Sequence, residues 1–154
     1  RLGEGAYMGI YSLISLLGLL LIIFGYEVSS NSLYTVKGNA YIYSKYVMFF
    51  SLTFLIAANM PCFIKKFFKH PMSLGIAIWS ILHLLTNSDT VSVILFGSFL
   101  FYAIISVLIS ELRKAESKEL TPRIMFDALS VFLGILLTLL TFNFHEYLSG
   151  VSLS

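Results

Sequence analysis

Five apolar stretches dominate this 154-residue sequence, at 7–26, 45–60, 71–87, 90–112 and 124–144. A helix crosses the hydrocarbon core of a bilayer with about 20 such residues, in a range of about 17–25. Inside lipid, each backbone N–H and C=O has to be satisfied within the segment, so runs of this kind read as helices. The expected fold is all-α, a polytopic transmembrane helix bundle forming a single membrane domain over 1–154. The second and third stretches are the shortest, so their ends belong close to the interfaces. Composition agrees: 58% of residues are hydrophobic and 12% are charged, where a soluble domain has about 25% charged residues. Such a chain has too little polar surface to cover a core in water. Lys and Arg stand in short clusters between the apolar runs, which excludes a nucleic-acid-binding face. Cys62 is the one cysteine, so no internal disulfide forms, and beside Pro61 it reads as a small apolar filler.

The basic residues set an orientation. Arg1, the group Lys65, Lys66 and Lys69, and the group Arg113, Lys114, Lys118 and Arg123 fall on one side of the five-span arrangement. Lys37 and Lys45 fall on the other. Eight against two is a strong positive-inside pattern. It puts the residue 1 side in the cytoplasm and the C-terminus outside, in a bacterial inner membrane or an equivalent organellar one. Arg1 is not a start methionine, and the first residues lack the basic region and cleavage site of a signal peptide. A preceding piece, carrying a sixth span, is therefore expected.

Membrane helices associate through close packing and hydrogen bonds, so small and polar residues mark the protein-facing side. The last span carries Asp127, Ser130, Gly134, Thr138, Thr141 and His145 at helical spacing, and Asp127 is within reach of Arg123. The fourth carries Ser98, Tyr102, Ser106 and Ser110 in steps of four, and the third carries Pro71, Gly75, Trp79, His83 and Asn87 in the same step. A step of four drifts by about 40° per residue pair, so each row is an inclined ridge.

An imidazole in a bilayer acts as a metal or haem ligand, a proton relay or a structural hydrogen-bonding group. His70 opens the third span beside Pro71 and reads as an interfacial or capping residue. His83 is the one histidine well inside a span, with Trp79, Ser80 and Asn87 near enough along the helix to orient it. His145 falls near the outer end of the last span, in the same leaflet as His83. No carboxylate pair accompanies the histidines, which argues against a di-metal carboxylate site.

The run Lys69-His70-Pro71-Met72-Ser73-Leu74-Gly75, followed by Trp79, His83-Leu84-Leu85, Asn87 and Asp89, resembles the central motif of the NnrU family of integral membrane proteins. The opening Arg1-Leu2-Gly3-Glu4, Ala6-Tyr7 and Tyr11-Ser12-Leu13, and the ending His145, Gly150 and Val151, extend the resemblance along nearly the whole chain. Lys69 stands where the family has Arg, and Ser88 where it has Gly. The resemblance implies a multi-span inner-membrane protein tied to denitrification or respiration. Through a plant relative, 15-cis-zeta-carotene isomerase, it also implies haem b and an isomerase-like reaction on a polyene. His83 matches a haem ligand of that relative; Ser80 stands where the relative has a cysteine thought to act as an alternative ligand. The relative's second haem histidine lies upstream of Leu2-Gly3-Glu4, so His145 is the second axial candidate within this chain.

Two other readings stand beside this one. The chain could be a haem-free accessory subunit packed against a larger respiratory or photosynthetic membrane complex. It also resembles membrane methyltransferases through His70-Pro71 and Gly75, with Glu111, Arg113 and Glu116 imitating part of a second segment, although Ser73 replaces the tyrosine of their pattern. The 14 Phe and 9 Tyr suit a polyene pocket, lipid contact or subunit contact equally.

Overall fold

The computed structural model describes residues 3–25, 31–36, 40–112 and 120–149. They form six helices: α1 (Glu4–Gly25), α2 (Ala40–Ala57), α3 (Phe63–Phe68), α4 (Pro71–Thr86), α5 (Thr90–Leu112) and α6 (Ile124–Ser149). Helices α1, α2, α5 and α6 are long and apolar enough to cross a membrane. Helix α4 has 16 residues and rises about 24 Å, less than the roughly 30 Å hydrocarbon core. Pro71 sets its start, where a missing N–H costs nothing, and Asn87 closes it.

Polarity is arranged as in a bundle whose solvent is lipid. The most deeply buried side chains are small: Ser51, Ser80, Ser92, Ser130 and Cys62, with Ala57, Ala103, Thr53 and Thr138 close behind. Large aliphatic and aromatic side chains, such as Leu13, Phe101, Phe132 and Leu139, lie on the outside. Small residues let helix backbones approach, while lipid receives the bulky ones. The chain is a multi-pass membrane protein.

Helix α2 is the centre. It packs against α4 on one side and α6 on another, and α4 packs against α5. At Gly75 a Cβ would meet the Ser51 carbonyl oxygen and Leu55 Cγ at 2.8 Å each, and Ser51 Oγ donates to the Gly75 carbonyl at 2.8 Å. At Gly134 a Cβ would collide with the Thr53 side chain. Both glycines are therefore points of closest helix approach. Helix α1 stands apart; Leu21, Ile22 and Gly25 at its end share an open groove of about 610 Å³ with α5.

Contacts tie the connecting segments together at each end of the bundle. At one end Arg123 N–H donates to the Pro61 carbonyl at 3.0 Å, and His70 Nε2 lies 2.8 Å from Glu111 Oε1. These bring 61–70 together with both ends of the α5–α6 connection. At the other end Leu33 N–H donates to the Ser88 carbonyl at 2.8 Å and Thr90 N–H to the Asn31 carbonyl at 3.2 Å. Arg1, Lys37, Arg113, Lys114 and Lys118 lie outside the described residues.

Four expectations change. The second span begins five residues earlier than 45, because Tyr41 and Ser44 are accommodated inside the helix: Ser44 Oγ donates to the Tyr41 carbonyl and Tyr41 Oη to the Thr86 carbonyl. The segment between the second and third spans contains a helix, α3. Asp127 does not serve Arg123; its carboxylate accepts from Phe63 N–H at 3.0 Å and Ile64 N–H at 2.8 Å, capping α3 from another helix. The polar row of α5 divides: Ser106 meets Ser73 of α4 at 3.4 Å, whereas Ser98 and Tyr102 face the groove shared with α1. The face of α5 turned to the bundle is Ser92, Phe96 and Ala103.

Candidate functional site

The row Pro71, Gly75, Trp79, His83 winds around α4 as its spacing requires. Gly75 meets α2, and by Trp79 and His83 the ridge has turned towards α5. The His83 ring lies against Phe96 with centroids 4.3 Å apart and planes 30° from parallel. Trp79 meets Phe96 and Phe99 edge-on at 5.1 and 5.2 Å, and its own ring is 5.0 Å from His83. One ring from each of two helices, Trp79 and Phe96, thus lies against the imidazole, with Phe99 backing Trp79.

The imidazole has a defined hydrogen-bond arrangement. Its Nδ1 lies 2.9 Å from the Trp79 carbonyl oxygen. A carbonyl can only accept, so Nδ1 carries the proton and donates it. In the neutral ring, Nε2 then holds the lone pair. A backbone carbonyl behind Nδ1 is the usual way a metal-ligating histidine is oriented and made more basic.

The C-terminal end of α4, just beyond His83, is tied down by side chains. The last carbonyls of a helix have no partner within it. Here Asn87 Nδ2 donates to the His83 carbonyl at 3.0 Å and Thr86 Oγ1 to the Leu82 carbonyl at 3.0 Å. Tyr34 Oη donates to the Leu84 and Asn87 carbonyls, and Ser32 Oγ contacts Ser88 Oγ at 2.6 Å. Partial burial, with the Asp89 carboxylate adding to it, holds the Tyr34 hydroxyl above its ordinary pKa. Asp89 Oδ1 accepts from Ser92 N–H at 3.1 Å, capping α5. The 31–34 segment therefore clamps the α4–α5 hairpin within about one turn of the histidine.

Helices α4 and α6 both begin at the end where Arg123 meets Pro61, so His83 and His145 both lie toward the opposite end. His70 is at the Arg123 end, where it opens α4 without a side-chain capping bond and pairs with Glu111. Trp79 contributes its carbonyl to His83 as well as its ring. Ser80 is fully buried, its hydroxyl has no hydrogen-bond partner among the described residues, and it makes no contact with the His83 ring there. Asn87 reaches the backbone of His83 and not its ring. Phe96, Phe99, Tyr34 and Tyr41 also build the site and are absent from the sequence reading. Phe96 is legible in the spacing: it and His83 are equally far from the Asp89–Thr90 step, as are Ser73 and Ser106, so pairing residues across the hairpin finds it.

Among the described residues no three His, Cys, Asp or Glu side chains gather to hold a metal ion. An ion bound only by side chains takes three or four such ligands. A macrocycle with its own four nitrogen donors needs one or two imidazoles; His83 offers one, with the lone pair on Nε2.

No curated protein and no solved structure matches this chain. The family model described as NnrU protein matches residues 1–153, which include every helix described above. The chain belongs to the NnrU family.

Proposed function

We propose that this NnrU-family protein holds haem b through His83 Nε2, in a bacterial inner membrane or its organellar equivalent, with the end bearing Lys65, Lys66 and Lys69 facing the cytoplasm. The observation that carries the reading is the Nδ1–H bond to the Trp79 carbonyl, which leaves Nε2 as a fixed lone-pair donor. His145, on α6, is the candidate for a second axial position within this chain. Haem iron would supply Lewis-acid or one-electron chemistry at this place. The chain's own contribution is to orient the imidazole, exclude water with Trp79, Phe96 and Phe99, and hold the end of α4 rigid through Tyr34, Tyr41 and Asn87. An isomerase-like reaction on a polyene, or a task in denitrification or respiration, rests on the family resemblance.

The test is the haem content of the full-length protein purified from cells supplied with a haem precursor. Stoichiometric haem b in the parent and its loss in His83→Ala support the reading. Equal haem in both overturns it.

A second reading has an observation of its own. Helix α1 meets α5 across an open groove, a face that a neighbouring subunit of a larger complex would fill. A haem-free parent that co-purifies in stoichiometric amount with other membrane subunits favours it.

A further inference from the structure

We infer that α3 and its flanking residues form a binding site for the headgroup of an anionic phospholipid. The helix has six residues, Phe63-Ile64-Lys65-Lys66-Phe67-Phe68. Isolated helices of fewer than about 12 residues are marginal in water, so this one is held from outside. Asp127 of α6 accepts its first two N–H groups, and Arg123 N–H fastens Pro61 just before it.

Its depth follows from one contact. Phe68 meets Phe54 edge-on, with centroids 4.8 Å apart. Phe54 lies one turn before the end of α2 at Ala57, so α3 sits where α2 leaves the hydrocarbon. There Phe67 is 80% exposed and Phe63 48%, side chains suited to the boundary between acyl chains and headgroups.

The cations form no ion pair among the described residues, although Lys69 stands near enough to Glu111 to act on its charge. Lys66 and Lys69 are exposed and Lys65 half-buried. None of the three is within salt-bridge distance of a carboxylate among the described residues, where Glu111 is engaged by His70. Asp127 is occupied by the α3 backbone. Arg123 adds a fourth positive charge at the same end. Phosphate is the complementary group, and the exposed phenylalanines favour a phosphate carried on acyl chains over a soluble one. A lysine near a charged membrane surface contributes roughly a fivefold gain in affinity for anionic lipid.

The experiment uses the full-length protein in nanodiscs of phosphatidylcholine with phosphatidylglycerol. Lipid retained on transfer to neutral detergent is measured by native mass spectrometry. The parent should keep phosphatidylglycerol preferentially. A variant with Lys65→Gln, Lys66→Gln and Lys69→Gln should lose that preference by on the order of tenfold or more, and the corresponding Lys→Arg variant should keep it. Asp127→Asn, which leaves the lysines and weakens the hold on α3, should reduce it. An unchanged preference in the Lys→Gln variant overturns the site. Displacement by soluble glycerol 3-phosphate overturns the lipid assignment in favour of a free-phosphate site.

Discussion

Thr53 of α2 stands so close against Gly134 of α6 that any side chain at 134 would strike it. Gly134 sits between Ser130 and Thr138, both buried on the same face of α6. Replacing Gly134 by Leu should push the helices apart and lower stability by about 1–3 kcal/mol, read as a lower unfolding midpoint in detergent. Gly134→Ala should be milder, and Thr53→Ala should rescue it, because the Thr53 hydroxyl has no hydrogen-bond partner to lose among the described residues. An additive effect of the last two substitutions would refute the direct contact.

The Asp127 carboxylate caps a helix to which it does not belong. Asp127→Ala should cost about 0.5–2 kcal/mol, as removal of an N-cap does, and should raise hydrogen exchange at Phe63 and Ile64 N–H. Replacing the Arg123 side chain should leave those two amides protected, because Arg123 takes part through its backbone N–H. Exchange that responds to Arg123→Ala and ignores Asp127→Ala would contradict this.

Tyr34 gives the end of α4 a dependence on pH. Its hydroxyl donates to two carbonyls, and only the protonated form can donate. Its pKa is raised in the folded protein from an ordinary 10.0, so its contribution is complete below pH 10 and is lost as pH rises through the folded value. The unfolding midpoint of the parent should fall more steeply above pH 10 than that of Tyr34→Phe. Parallel curves would show that this hydroxyl carries no such weight.

Much of this arrangement is legible in the residues themselves. The 3- and 4-residue spacing from Asp127 to His145 selects the buried face of α6, since only one face of a helix can meet a neighbour. The drift of the α4 row from Gly75 to His83 follows from the same geometry. The row Ser98–Tyr102 misleads, because polarity marks a face without saying which neighbour it meets. Helix α3 escapes notice because six residues with two lysines have no periodicity to display, and its cap comes from a residue 63 positions away. The orienting partner of His83 is a main-chain oxygen, which no side-chain pattern reveals.

The central claim is that His83 Nε2 is a ligand. The direct measurement is the reduced-minus-oxidised absorption spectrum of full-length protein beside its His83→Ala variant, with His145→Ala as a third sample. With His83 Nε2 as a ligand, the parent shows a b-type band, His83→Ala loses it, and His145→Ala shows a shifted or weakened one. A b-type band that survives unchanged in His83→Ala would contradict the claim.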